Sequence, residues 1–327
     1  MVRIGILAPS SDWPSGGIRK LYQHADILNR NGFSATIIHK RPEFRCSWFP
    51  NITPVTCLAD ANLADTDYLV VPEIHAAASI RRFPGIPKVI FNQNCYYTFR
   101  SRPLEKLDEL FPYRHPEVVA AIVVSEDSAA YLQYAFPGLR PFRIRYGIDS
   151  RLFHNDAPKQ RQIAFMPRKN REDVRQVINI LHARNTLRDF ELVPVDGMDE
   201  AQVATVLQRA LIFLSFGYPE GFSLPPAEAM ACGCAVVGFN GRGASEYFTP
   251  ELAYPVPDGD IIGMVRTVEQ VIGLCLENPA TLTEKTARAA RYIREVYAPD
   301  HEEMDVVRTW TAIASAGVPA HPEPGCE

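Results

Sequence analysis

The stretch YPEGFSLPPAEAMACG, Tyr218 to Gly233, lies between two apolar runs, LIFLSF and CAVVGF. LIFLSF has the length and continuous hydrophobicity of a buried strand, so Gly217 to Ser223 falls at that strand's carboxyl end. Open α/β sheets bind ligands at that edge. Leu224, Pro225 and Pro226 open a helix, because proline suits a first turn. The backbone N–H groups at a helix start carry partial positive charge and attract a phosphate. Glu228 is expected in or just after this first turn, and Glu220 on the loop reaches the same edge. Two carboxylates offer enough lone pairs to accept from neighbouring sugar hydroxyls. A plain alternative stands beside each: the helix macrodipole alone accounts for a Glu in a first turn, and Glu220 can be simply solvated.

Working outward, the chain alternates strand and helix patterns. Val2 to Ala8 reads as a buried strand, followed by the loop SSDWPSGG and an amphipathic helix, IRKLYQHADILNRNG. Ile18, Leu21, Tyr22, Ala25, Ile27 and Leu28 form its apolar face and Gly32 stops it. FSATIIHK, DYLVVPE, PKVIFNQN and VVAAIVVS are further strands, and SEDSAAYLQYAF is a helix with Ser125 as candidate cap. RYGIDSRLFHNDAPKQR interrupts the alternation as a linker. It resumes with RQIAFMP, NREDVRQVINILHAR, FELVPV, MDEAQVATVLQRA, LIFLSF and CAVVGF. Asp258 to Trp310 reads as mostly helical, broken at Pro299. The tail from Ala316 to Glu327, with three prolines and two glycines, is expected to be disordered. Such alternation predicts two parallel-sheet α/β domains, with the ligand in a cleft between them.

Composition excludes several classes. The 327 residues carry a formal net charge of −4, with 46% hydrophobic and 22% charged residues. That is ordinary for a globular protein of two domains and too acidic for a general nucleic-acid binder. The opening apolar run ends at Pro9 and Ser10, unlike a signal peptide, and no run reaches the roughly 18 apolar residues of a membrane span. Seven cysteines in a chain of this length fit reduced thiols and a cytoplasmic location. Cys232 and Cys234 lack the partners of a zinc site and read as packing at a helix end.

The motif EGFSLPPAEAMACGCAVVGF resembles the E-x7-E signature of GT-B glycosyltransferases, in particular glycosyltransferase family 4 (group 1). Glu220 and Glu228 have the required spacing, and Gly221, Phe222, Leu224, Pro225, Ala229, Met230, Ala231, Gly233, Val236 and Val237 match. Ser15 to Gly17 matches the family's glycine-pair loop after the first strand. YGIDSRLFH matches the G-[IV]-D-x-x-x-F element that begins the second domain. The resemblance covers nearly the whole chain and is strongest from Tyr146 to Glu246.

It implies an α/β chain of the GT-B class: two Rossmann-like, doubly wound parallel-sheet domains facing across a cleft. The expected boundaries are 1–147 for the acceptor side, 148–298 for the donor side, and 299–315 for a helix returning to the first domain with Trp310 as anchor. The implied activity is retaining, metal-independent transfer of a sugar from a nucleoside-diphosphate sugar to a glycan or lipid-linked acceptor, with no cofactor. By the same resemblance Glu228 holds the ribose, Glu220 the sugar hydroxyls, and the backbone of Gly221, Phe222, Ser223 and Leu224 the sugar and distal phosphate. Gly16 and Gly17 approach the diphosphate, where a side chain would block it.

The sequence departs from the family in two places. The arginine and lysine that take the charge of the leaving diphosphate are usually about five residues apart. Here Arg168 and Lys169 are adjacent, with Arg171 and Arg175 following. Arg168 is the candidate for the arginine, and Lys169 or Arg171 for the lysine. Where many relatives have a histidine, VIFNQNCYYTF offers Asn92, Gln93 and Asn94, which can orient donor or acceptor hydroxyls. His75 is a lone candidate at a neighbouring strand end. The first domain's Arg81, Arg82, Arg100, Arg102, Lys106 and Arg114 suit a phosphate-linked acceptor or peripheral contact with the inner membrane face, and suit ordinary loop solvation equally. EKLDELF has the amphipathic pattern of a helix packed on a sheet. The alternative function is a non-catalytic nucleotide-sugar-binding subunit. Epimerases and phosphorylases share the fold, but phosphorylases need a pyridoxal lysine and much longer chains.

Overall fold

The computed structural model describes residues 2–100 and 110–316. Arg102, Lys106, most of EKLDELF and the tail beyond Ala316 lie outside the described residues. The chain divides into two compact units. Unit 1 comprises Met1–Val124, Ser128–Ile144 and Glu303–Glu327, and unit 2 comprises Ser125–Asp127 and Arg145–Glu302.

Unit 1 is built on seven parallel strands: β1 (Arg3–Ala8), β2 (Ser34–His39), β3 (Val55–Cys57), β4 (Tyr68–Pro72), β5 (Lys88–Asn92), β6 (Val118–Val123) and β7 (Phe142–Arg143). Their order is β3-β2-β1-β4-β5-β6-β7. The first three strands run outward from β1 and the rest run the other way, so the winding reverses between β1 and β4. All five residues of β4 and of β5 are buried, as continuous apolar runs require in a sheet covered on both faces. The helices are α1 (Gly16–Arg30), α2 (Ala76–Arg82) and α3 (Glu126–Ala135). α1 buries the six apolar residues that its spacing picks out, and Gly32, at φ +84°, follows its end. α1 also buries Lys20 and His24, which a periodicity argument leaves outside the core.

Unit 2 has five parallel strands: β8 (Gln160–Phe165), β9 (Glu191–Pro194), β10 (Ala210–Ser215), β11 (Ala235–Phe239) and β12 (Tyr254–Val256). The order is β12-β11-β10-β8-β9, so the reversal here falls between β8 and β10. Its helices are α4 (Arg171–Ala183), α5 (Glu200–Arg209), α6 (Leu224–Ala231), α7 (Ile261–Glu277) and α8 (Pro279–Val296), with α9 (Pro299–Ala316) completing the chain. α5 opens on a capping box: Asp199 accepts from the Gln202 N–H at 2.9 Å, and the Gln202 side chain accepts from the Asp199 N–H at 2.9 Å. The helical stretch after Asp258 separates into α7, α8 and α9, the last two each opening on proline. β3, β7 and β12 are edge strands of three, two and three residues, too short to show a period in the sequence. Among the described residues no helix is long and apolar enough to cross a membrane.

From Glu303 onward α9 belongs to unit 1. Glu303 accepts from the Arg30 guanidinium at 2.9 Å and from the Asn31 amide at 2.7 Å. Trp310 is fully buried, edge-on to Tyr68, and its indole N–H donates to His24 Nε2 at 2.7 Å. That acceptor role requires a neutral imidazole, and burial pulls the His24 pKa down to about 3. The unfolded imidazole titrates near 6.5, so between these values the unfolded chain binds the extra proton. The His24 contribution is therefore complete above pH 6.5 and falls, by about 1.4 kcal/mol per pH unit, as pH drops toward 3. Urea unfolding of the native chain and of His24→Leu at pH 7, 5.5 and 4 is expected to show a stability gap that narrows with acidity. A constant gap would mean that His24 is not held neutral.

Candidate active site

In each unit the winding reversal leaves a crevice at the carboxyl ends of two neighbouring strands, because their connections leave in opposite directions. In unit 2 those strands are β8 and β10. The loop after β8 carries Arg168 and Lys169, both exposed, and the loop after β10 carries Glu220. The Lys169 ammonium forms an ion pair with Glu220 Oε1. Asn170, which caps α4 with a left-handed backbone, donates its amide to the Phe216 carbonyl at 2.7 Å and the Tyr218 carbonyl at 3.1 Å. The Tyr218 hydroxyl donates to Asp173 of α4 at 2.8 Å. These bonds tie the two loops together across the reversal. Arg171 is the first residue of α4, and the Arg175 guanidinium pairs with Glu172 at 2.9 Å. The structure brings Lys169, one of the cations weighed from the sequence, onto Glu220.

The Glu220 loop rests on the loop after β11. Its backbone forms an isolated parallel bridge with Arg242: Glu220 N–H donates to the Gly241 carbonyl at 2.9 Å, and Gly243 N–H to the Glu220 carbonyl at 3.2 Å. The contact is close enough to demand glycine. A Cβ on Gly243 would lie 2.2 Å from the Gly221 oxygen, and one on Gly241, at φ +61°, would lie 2.5 Å from the Gly217 oxygen. Phe222 pins the loop from below. It is buried among Tyr146, Tyr247 and Tyr297, with centroid distances of 5.6, 5.2 and 5.1 Å. The Tyr247 hydroxyl donates to the Phe222 carbonyl at 3.0 Å and reaches the Ser223 carbonyl as well. Ser223 is thereby held at φ 65° as the N-cap of α6.

α6 begins at Leu224, so Glu228 stands in its second turn and is 4% exposed. The macrodipole acts over the first turn, so it does not account for this carboxylate, and a buried carboxylate needs partners of its own. Pro225 and Pro226 have no N–H to offer. Cys232 and Cys234 are buried behind α6, where the Cys234 thiol donates to the Leu207 carbonyl at 3.1 Å; they pack the helix end.

In unit 1 the reversal lies between β1 and β4. Gly16 and Gly17 open α1 after β1, behind an extended Ser15 cap. Gly17 fits against Gln93: a Cβ there would lie 2.9 Å from Gln93 Oε1, and Gln93 Nε2 donates to the Gly17 carbonyl at 3.0 Å. The three amides at the end of β5 and just beyond it divide their roles. Asn92 is fully buried and donates to Tyr113 at 2.6 Å and Thr98 at 3.0 Å. Asn94 is 6% exposed and accepts from the Tyr96 N–H at 3.1 Å, capping a short turn. Gln93 is presented at the glycine turn. His75 is exposed at the end of the 3-10 turn Glu73–His75.

Sequence reasoning passed over two groups here. One is Gly241-Arg242-Gly243, whose signal was a G-x-G directly after a buried strand. The other is Glu73, the first residue beyond β4, whose carboxylate accepts from the Gln93 N–H at 3.1 Å and from the Asn94 N–H. Burial drives its pKa up to about 7, against the pull of those hydrogen bonds. Its signal was an ionisable residue at the carboxyl end of a strand buried throughout.

Residues 192–293 match the family model for glycosyl transferases group 1. An α-1,6-glucosyltransferase of Actinobacillus pleuropneumoniae is 26% identical over 239 residues, 69% of this chain and 69% of that protein. Among solved structures, sucrose-phosphate synthase from Thermosynechococcus elongatus is similar with a TM-score of 0.73 at 13% identity, over 97% of this chain and 100% of that one. Anabaena HepE in complex with UDP and glucose is similar with a TM-score of 0.71 at 14% identity, over 95% and 100%.

The glycine contacts under Glu220 predict a sharp response to one methyl group. Gly243→Ala forces backbone apart and is expected to cost about 2–4 kcal/mol in urea unfolding, in the range of an overpacked core or more. Ser245→Ala, an exposed change two residues on, is expected to stay within about 0.5 kcal/mol. Equal effects from both would show that the loop contact is not tight.

Proposed function

We propose that the chain is a family 4 glycosyltransferase of polysaccharide synthesis, moving glucose from UDP-glucose to a glycan or lipid-linked acceptor, with retention and without a metal; the GT-B fold and the group 1 match over residues 192–293 support this reading. The observation that carries this reading is the Lys169–Glu220 pair at the reversal between β8 and β10, with Arg168 beside it and Glu228 buried one helical turn behind. The choice of donor is supported by the UDP and glucose in HepE and by the glucosyltransferase relative.

The assigned roles follow from charge. The Lys169 end of the ion pair is exposed, so a diphosphate can reach and take Lys169 and leave Glu220 to accept from sugar hydroxyls. Arg168, with its planar fork, takes the second phosphate. Glu228 accepts from the ribose hydroxyls. The amides of Gly221, Phe222, Ser223 and Leu224 meet the sugar and the distal phosphate, and the Gly16–Gly17 turn meets the diphosphate. The bond from C1 to the phosphate oxygen breaks as the acceptor oxygen bonds to C1 on the same face. The acceptor proton passes to the departing phosphate, and Arg168 and Lys169 stabilise the charge that develops there. On unit 1, Arg82, Arg100 and Arg114 each lie over a neighbouring aromatic ring at 5.8, 5.0 and 6.0 Å, which suits a phosphate-bearing acceptor at that surface.

Calorimetry with UDP-glucose and assay of UDP release test the reading. Glu228→Ala is expected to weaken UDP-glucose binding without unfolding the chain; an unchanged Kd would remove Glu228 from the ribose role. Arg168→Ala is expected to lower turnover about 10²-fold, the order for losing one charge-stabilising donor. EDTA is expected to leave turnover unchanged, and strict metal dependence would refute the mechanism. Tight binding with no turnover under any acceptor would favour the non-catalytic subunit.

A further inference from the structure

The half-buried Glu73 carboxylate has no part in the mechanism above. It stands at the carboxyl end of β4, beside β1 and on the reversal of unit 1, where an open sheet places its ligand. It is held inward, accepting from the backbone N–H groups of Gln93, at 3.1 Å, and Asn94. Both amides belong to the turn after β5. That turn is bolted at its outer positions by Asn92 on Tyr113 and by Asn94 on the Tyr96 N–H. The middle side chain, Gln93, is thereby aimed at Gly17, with Nε2 on the Gly17 carbonyl at 3.0 Å and Oε1 filling the space that a Cβ would need.

We propose that Glu73 is a positioning residue for glycosyl transfer: by fixing the two backbone amides after β5 it sets Gln93 against Gly17 and so shapes the glycine turn that meets the donor diphosphate. This rests on the reading of Gly16–Gly17 as a diphosphate turn. A carboxylate suits the task because it has two oxygens, each able to accept, for two successive N–H groups. Glutamine has one acceptor oxygen and would set an NH₂ against the second N–H. Glu73→Gln is therefore a near-isosteric break of the lock, and Gln93→Ala removes only the transmitting side chain.

UDP-glucose is the probe, with KM and kcat read from UDP release. Glu73→Gln is expected to raise KM about tenfold with kcat within about twofold, the mark of lost binding that is common to ground and transition state. Gln93→Ala is expected to do the same. The double variant is expected to be no worse than either alone, since both remove one coupled contact. Effects on KM that multiply, or an unchanged KM in Glu73→Gln, would overturn the proposal. If Glu73→Gln does not fold, Gln93→Ala must give the KM rise by itself, and failure to do so is equally decisive. Amide hydrogen exchange separates this from the donor reading. Protection at Gln93 and Asn94 is expected to be lost in Glu73→Gln whatever the substrate, and retained protection would overturn the lock. A native chain that binds no UDP-glucose would overturn the donor assignment instead.

Discussion

Backbone pressed on backbone at Gly241 and Gly243 is the constraint from which the unit 2 site follows. Glycines allow the loop after β11 to approach the loop after β10 closely enough for Glu220 to be paired through its main chain. Once Glu220 is placed, Phe222 falls among three tyrosines, Ser223 is forced into its left-handed cap, and α6 starts at a fixed point. Glu228 owes its burial to that start. The site is thus specified by contacts beneath it.

The two glutamates of the motif differ physically. The Glu220 side chain is 14% exposed and its partner Lys169 is 52% exposed, so a ligand reaches the pair from the lysine side. Glu228 sits in a buried helix where an ion must be compensated locally. One is suited to exchange and the other to permanence. A similar division runs through unit 1, where Asn92 and Asn94 are committed internally and Gln93 is presented.

Much of this was legible in the sequence. The buried strands and the amphipathic helices announce themselves by period and length, Pro225-Pro226 marks a helix start and Pro299 a break, while the start at Pro279 went unread. The edge strands β3, β7 and β12 did not, because two or three residues paired on one side need no pattern. Glu228 was placed near enough, but its burial was invisible; whether a helical residue lies on the inner face depends on where the helix begins, and a left-handed Ser223 decides that. The amides after β5 were read as one group of ligand contacts, because nothing in the run NQN says which of them the turn consumes. Glu73 was overshadowed by His75, whose ring suggests chemistry by type, whereas the acid gains interest only from the amides that a distant strand brings to it.

Trp310 on His24, with Glu303 on Arg30 and Asn31, makes unit 1 a discontinuous body. Its sheet is encoded in the first half of the chain and its last helix only after residue 302. During synthesis from the N-terminus, the 145–302 segment is complete and able to close on itself while the earlier-made sheet still exposes the place of its missing helix. The indole that meets His24 emerges after both. The order of manufacture and the order of completion are therefore reversed: the portion translated first is the portion finished second, and until then the helix that begins at the glycine pair has one side open to water.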